Sequence, residues 1–144
     1  MHASAYLEEK IFDTIFRGAS SAWLPATVYA GIVSDSGTDQ QLEEGTLTNE
    51  ITGYTGDRKA ITFDAPVKAT WDVATKMNLG AVLEFEDMPA PAGRQAKYWI
   101  VCDAPTAGNI LLWMPIKENG TPTTKVWNEG DVLRILTDSF VDIN

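Results

Sequence analysis

The feature that most constrains the fold is a run of five apolar residues, Ile110-Leu-Leu-Trp-Met114, which follows a segment rich in turn-forming residues. A strand with one wet face alternates apolar and polar side chains, so an uninterrupted apolar run indicates a strand that is covered on both faces. If Ile110, Leu112 and Met114 face the core, then Leu111 and Trp113 point the other way and need a second cover. That cover can come from the same chain or from a neighbouring one.

Residues 4–18 carry the strongest helical pattern in the sequence. Ser4 suits the N-cap, and Gly18 suits the left-handed position that closes a helix. We expect this amphipathic helix to pack on the domain's own core, with contact to a neighbouring subunit as the alternative. The cover of Leu111 and Trp113 can come from this helix or from an adjacent protomer, and we expect both to contribute. The apolar side chains that recur at spacings of three and four residues are Leu7, Ile11, Phe12, Ile15 and Phe16.

The rest of the chain consists of short β-prone runs separated by Gly, Pro, Asn and Asp, a pattern typical of strands and turns. About eight short strands without a repeating helix–strand unit favour an antiparallel β-sandwich. We therefore predict a mainly β, jelly-roll-like sandwich over about 26–143, preceded by one helix, in a single domain covering 1–144. Residues 34–45 are polar and acidic and predict a solvated loop. The strongest strand predictions are 27–33, 59–63, 83–86, 97–102, 109–114 and 132–136.

The charge balance excludes two classes of partner. The chain has 20 acidic and 11 basic residues, a formal net charge of −9 and a pI near 4.4. Such a surface repels phosphate backbones and anionic lipids, so we expect neither a nucleic-acid nor a membrane partner. No apolar run approaches the roughly 18–20 residues of a membrane span, and the N-terminal residues lack the layout of a secretory signal. We expect synthesis in the cytoplasm.

The residues that usually carry catalysis or bind metals are scarce. The single histidine, His2, lies where chains tend to fray, and the single cysteine, Cys102, lies in an apolar strand pattern. Nucleophilic catalysis and zinc binding draw on several such groups held together. Acid pairs for glycoside hydrolysis are available among the 20 acidic residues, but no motif groups them. We expect no catalytic residue, no cofactor and no metal site.

Three segments, taken in order, resemble small structural proteins of tailed bacteriophages. The first runs from Asn49-Glu-Ile through a Gly-Tyr turn and Arg58 into a strand ending at Phe63. The others are the Asp103-Ala turn that leads through Gly-Asn into an apolar strand, and a Gly-Asp turn, within 128–135, that leads into a late strand. The family is described as head decoration (cement) or tail-fibre-like proteins. Arg58 matches its pattern, whereas Tyr54 stands farther from the arginine than is usual.

The resemblance implies a non-enzymatic virion protein. Its main implication is a homotrimeric decoration protein on the capsid surface that binds the major capsid protein. The first alternative is a tail-associated or fibre-associated structural module. The second, from a different class, is a carbohydrate-binding sandwich that uses exposed tryptophans. The candidate interface residues are Leu7, Ile11, Ile15, Phe16, Arg58, Leu111 and Trp113.

Overall fold

The computed structural model describes residues 2–53, 58–65, 75–86, 94–136 and 140–143. Within these ranges the chain is mainly β, with antiparallel sheets and an N-terminal helix, as predicted. In chain order, the elements are β1 (His2–Ala3), α1 (Ala5–Arg17), β2 (Val28–Ser34), α2 (Asp39–Glu43), β3 (Glu50–Ile51), β4 (Lys59–Ile61), β5 (Thr75–Asn78), β6 (Leu83–Phe85), β7 (Arg94–Cys102), β8 (Ile110–Pro115), β9 (Lys117–Glu118), β10 (Thr121–Pro122), β11 (Lys125–Trp127), β12 (Leu133–Ile135) and β13 (Phe140–Ile143).

A seven-stranded antiparallel sheet forms the centre of the described structure. Strand β7 lies in its middle, with β2 along one edge and β8 and β11 sharing the other. On the side of β2 that faces away from β7, β4 pairs with the first half of the strand and β3 with the second half. Strand β1 pairs with the outer side of β8. Five consecutive residues of β7, from Tyr98 to Cys102, are buried. The dense apolar pattern of this strand therefore reflects cover on both faces.

One face of this central sheet packs against a two-stranded ladder made of β6 and β12. The larger core cluster joins Ile32, Trp99 and Val101 of the sheet to Phe85 and Ile135 of the ladder. Phe85 is fully buried and meets the Trp127 ring edge-on, with 6.3 Å between ring centroids. Large side chains from facing layers thus interlock on this side of the sheet.

The opposite face of the sheet is covered by α2, which lies within the segment predicted as a solvated loop. Leu42 of α2 is fully buried and joins Ile100 and Trp113 in the smaller core cluster. The solvated-loop prediction is therefore wrong for this helix. A capping box begins it, because Thr38 and Gln41 each bond the other's backbone. This motif was readable in the sequence, and it places the one apolar residue of a polar segment over the sheet.

A β-bulge breaks the alternation predicted for the apolar run. Cys102 lies opposite Ile110 and Val101 lies opposite Leu112, so that Leu111 is the extra residue of the bulge. Ile110 consequently shares the α2-covered face with Trp113, whereas Leu112 packs on the other side. The prediction that Ile110 shares a face with Leu112 and Met114 is wrong, because one added residue reverses the direction of every side chain before it.

All six strands predicted most strongly are present, with small shifts at their ends. Strands that are absent from the predicted set include β5 and β13, which pair with each other. Among the described residues, the strands outside the central sheet form only two-stranded ladders. The sandwich, its jelly-roll connectivity and the single-domain assignment stay predictions. No helix in these ranges is long and apolar enough to cross a membrane.

The turn between β7 and β8 is closed by its own side chains. The Asp103 carboxylate accepts hydrogen bonds from the backbone N and from Nδ2 of Asn109, both at 2.7 Å. Gly108 has a φ of +70° and packs directly against the Asp103 side chain that closes this turn. A Cβ there would collide with Asp103 Oδ1 and would lie 2.8 Å from the Ala104 Cβ.

We predict that Gly108→Ala lowers the free energy of unfolding by roughly 2–4 kcal/mol, because left-handed strain and steric overlap add together. Gly130→Ala is the matched control, since its φ is +79° but a Cβ there meets nothing within 4 Å. We expect that variant to lose only about 1 kcal/mol from strain. Urea unfolding of both variants tests the difference, and equal losses would show that the closed turn is not tightly packed.

Candidate interaction surface

The start of helix α1 is fixed to strand β8. Strand β1 pairs with β8 so that His2 lies opposite Trp113 and Ala3 opposite Leu112. Ser4 is fully buried, and its hydroxyl donates to the carbonyl of Ile110 while accepting from the backbone N of Leu7. The Ser4 backbone N donates to the carbonyl of Leu111 at 3.0 Å. The predicted N-cap thus also anchors the helix at the β-bulge.

The half-buried side chains of α1 beyond its first turn are mostly polar. Lys10, Asp13 and Thr14 are half-buried, and Thr14 Oγ1 accepts a hydrogen bond of 2.9 Å from the indole of Trp23. Asp13 in turn pairs with Arg17 at 3.1 Å. The segment after the helix therefore folds back onto the polar side of α1. Gly18 adopts the predicted left-handed conformation that allows this reversal.

The apolar side of α1 faces solvent instead. Ile11, Phe12, Ile15 and Phe16, here named the α1 stripe, are 38%, 58%, 66% and 75% exposed. No residue of α1 is buried, so the prediction that this helix packs on the domain's own core is wrong. The physical reason is that α2 and the β6–β12 ladder already cover the two faces of the sheet. Leaving each large apolar side chain in water forgoes roughly 1.5–3 kcal/mol of burial.

Leu111 and Trp113, the two candidates that needed a second cover, receive it within the chain. Leu111 is 6% exposed and Trp113 is 5% exposed. The Trp113 ring stacks on His2 at 4.4 Å, and its Nε1 donates to Glu43 of α2 at 3.3 Å. For Trp113 the expected cover by the predicted helix is therefore wrong, because α2 and β1 cover this side chain.

A cavity of about 520 Å³ opens beside Trp113. Tyr98 donates its hydroxyl to Asp39 there, and burial together with this hydrogen bond raises the pKa of Tyr98. Trp113 is almost wholly buried under His2, so it offers no open ring face on which a sugar could stack. Trp99 and Trp127 are buried as well. Trp71 lies outside the described residues.

Arg58, the candidate taken from the resemblance, is 5% exposed and acts as an internal tie. Its Nε and Nη2 donate to the two carboxylate oxygens of Glu50 at 2.6 and 2.8 Å. Its Nη1 donates to the carbonyls of Ala104 and Ala107 at 2.8 and 2.6 Å. Arg58 therefore links the first two segments of the resemblance through a bidentate ion pair. Sequence reasoning missed Glu50 as its partner, because pairing across eight residues depends on the strand arrangement.

The third segment of the resemblance is a closed turn. Asp131 Oδ2 accepts hydrogen bonds from the backbone N and from Nδ2 of Asn128, both at 3.0 Å. The carbonyl of Asp131 accepts from the Trp127 indole at 3.0 Å, and β12 begins two residues later. The residues of this motif thus shape a turn and fix the indole of Trp127, which is buried in the core.

Cys102, the single cysteine of the sequence, is buried in β7. Burial raises the pKa of the Cys102 thiol to about 12, with Arg58 opposing the shift. Since the thiolate is the nucleophile, such a thiol is inert near neutral pH. Within the described ranges, no group of three or more His, Cys, Asp or Glu side chains is placed to hold a metal ion.

The similarity of this chain to known proteins points to one family. A family model described as "Podophage GP4 fiber I protein gp80" matches residues 2–141. The match begins in β1 and reaches into β13, so it includes the anchor of α1, the Arg58 tie and all three motif segments. No curated protein matches the sequence.

We predict that Arg58→Met lowers the free energy of unfolding by about 3–5 kcal/mol, because Glu50 is left charged and nearly buried. Arg134→Met is the matched control, since Arg134 pairs with Glu84 at 2.7 Å while its side chain is 59% exposed. Its loss is expected to stay below about 1 kcal/mol. Adding Glu50→Gln to Arg58→Met should recover part of the loss in urea unfolding. Similar costs for the two arginines would contradict the internal role of Arg58.

We predict that Cys102 does not react with a disulfide reagent such as dithionitrobenzoate at pH 8 in the folded protein. Its raised pKa and its burial both suppress attack, whereas unfolding in urea exposes the thiol and restores its ordinary pKa. The measurement is the rate of thiol modification with and without urea. Fast modification without urea would show that strand β7 opens readily.

Proposed function

The chain belongs to the Podophage GP4 fiber I protein gp80 family, and we propose that it is a fibre module joined to its neighbours through the α1 stripe. As a member of this family it is a non-enzymatic structural protein of the phage virion. The observation that carries the proposal is the orientation of α1, whose α1 stripe faces solvent while Leu7, Asp13 and Thr14 on its other side are half-buried. An exposed apolar patch of this kind is typical of a protein–protein contact.

The anchoring of α1 supports a role in assembly. The buried hydrogen bonds of Ser4 and the β1–β8 pairing hold the first turn in place before any partner arrives. A preorganised surface loses less conformational entropy on binding than a free segment does. Large aromatic side chains such as Phe12 and Phe16 are the groups that usually dominate the energy of a contact. We propose that the contact is homotypic and builds a homotrimer.

We propose that the protein is located in the fibre and not on the capsid surface. The family match names a fibre protein and does not support binding to the major capsid protein. Leu7 and the α1 stripe remain proposed interface residues under either location. The other three candidates would support the interface indirectly, by shaping β8 and its turn, because their side chains are almost wholly buried. They are Leu111, Trp113 and Arg58.

Imaging of labelled particles tests the location. A gold label on an affinity tag placed at the exposed loop residue Ser36 leaves the α1 stripe untouched. We expect the label along the fibres of the particle. A label spread over the lattice of the head would overturn the fibre proposal in favour of the decoration role.

We predict that Phe16→Glu lowers self-association at least tenfold without reducing the stability of the fold, because Phe16 is exposed in the isolated chain. Arg17→Gln is the matched control, since it makes the same change in net charge at the next residue and its side chain is 79% exposed. Light scattering after size exclusion measures the oligomer, and incorporation into particles gives a second readout. Loss of assembly in both variants would show that the added negative charge, and not the loss of an apolar side chain of the α1 stripe, prevents association.

A further inference from the structure

The cavity beside Trp113 has a rigid aromatic floor. Tyr98 and Trp113 line it and are almost wholly buried, and their rings meet edge to face with 6.0 Å between centroids. The polar end of each ring is bound to α2, because the Tyr98 hydroxyl donates to Asp39 and the Trp113 indole donates to Glu43. A floor that is fixed before a ligand arrives lowers the entropic cost of binding. The cavity therefore has the rigidity of a preformed ligand site.

A β-bulge brings a positive charge to this floor. In the pairing of β2 with β7, adjacent residues of β2 lie opposite Tyr98 and Ala96, so that Lys97 is the extra residue of the bulge. Consecutive side chains of a regular strand point to opposite faces, but a bulge re-aims a side chain. The Lys97 ammonium accordingly lies 4.9 Å from the centre of the Tyr98 ring. The bulge thus adds a hydrogen-bond donor to the cavity.

Two opposite charges flank the Tyr98 hydroxyl. Burial and the hydrogen bond to Asp39 raise the pKa of Tyr98, whereas the nearby Lys97 lowers it. In the described part of the chain, neither Asp39 nor Lys97 belongs to an ion pair. Both groups therefore keep hydrogen-bonding capacity for a ligand. Thr123 and Thr124, which connect β10 to β11, line the same cavity and carry hydroxyl groups.

We propose that this cavity binds a neutral sugar through hydrogen bonds to Lys97, Asp39 and the two threonines. A carboxylate only accepts hydrogen bonds and an ammonium only donates them, whereas a hydroxyl group does both. Adjacent hydroxyl groups of one sugar therefore bond Lys97 and Asp39 at the same time. An anionic ligand is repelled by Asp39 and a cationic ligand by Lys97, so the pair of charges selects a neutral polyol.

The size and the walls of the cavity agree with this ligand. Its volume of about 520 Å³ lies within the range of small-molecule sites, roughly 300–1,000 Å³. Pro115 and Pro122 supply apolar walls for the C–H surface of a sugar ring. Because His2 covers Trp113, hydrogen bonds and these walls hold the sugar without a tryptophan face to stack on. The exposed Thr124 lies where a longer glycan can continue into solvent.

A matched series of sugars tests the role of the two charges. The probes are glucose, galactose and mannose, each beside its amino-sugar and its uronic-acid analogue, at millimolar concentration. Saturation-transfer NMR on the full chain measures binding. We expect at least one neutral hexose to bind about tenfold more tightly than its two charged analogues. No binding of any neutral hexose, or equal or tighter binding of a charged analogue, would overturn the inference.

The methyl glycoside of the bound hexose distinguishes two sources of the ligand. Equal affinity for the methyl glycoside supports the end of a glycan, because the anomeric oxygen is then free to carry the next sugar. Loss of binding supports a free sugar, whose anomeric hydroxyl is itself recognised.

Two lysine variants separate the cavity from the rest of the surface. Lys97→Met removes the ammonium and keeps the apolar stem, so we expect the affinity for the hexose to fall about tenfold. Lys125→Met is the matched control, since it makes the same change in net charge, and Lys125 pairs with Glu118 at 2.7 Å outside the cavity. Thr124→Val should cost roughly threefold. Urea unfolding checks that each variant is folded, and equal losses for the two lysines would overturn the inference.

The inference is independent of the proposed contact through the α1 stripe. Phe16→Glu, which is expected to weaken self-association, should bind the hexose with unchanged affinity. Proton–nitrogen correlation spectra should show shifts at 97–98, 113 and 123–124 in this variant and in the unaltered chain. Loss of binding in Phe16→Glu would place the sugar at α1 and overturn the cavity site. A monomeric chain that binds the hexose would overturn only the homotypic contact and would support this inference.

Discussion

The structure depends on the need to cover both faces of β7 and β8. These strands are apolar on both sides, and an antiparallel sheet with two apolar faces is stable in water only when each face has a layer over it. The β6–β12 ladder supplies one layer, and the short helix α2 supplies the other. The bulge at Leu111 determines which side chains of β8 face each layer.

This arrangement leaves the N-terminal helix without a place in the core. Its start is tied to β8 by Ser4, but its apolar side has no layer of the same chain to pack on. A rigidly held, exposed apolar helix is costly for a protein that works alone and useful for one that works in an assembly. The membership in a family of phage fibre proteins agrees with this physical reading.

The residues that first suggested a phage protein serve mainly to hold the fold. Arg58 joins Glu50 to two backbone carbonyls of the 103–108 turn, while Asp103 and Asp131 each close a turn. Such groups are costly to replace singly, because each leaves buried polar partners unsatisfied. The short motifs therefore indicated a common structure, whereas the contact surface lies in the less distinctive apolar residues of α1.

The sequence by itself determined the local features of this protein. Helix α1, its caps at Ser4 and Gly18 and six strands all follow from neighbouring residues and from composition. Only the tertiary structure decided that Leu42 covers Trp113, that Glu50 pairs with Arg58 and that the apolar side of α1 faces outward. The reason is that periodicity shows which side chains need cover, while the identity of the cover depends on contacts between residues far apart in the chain.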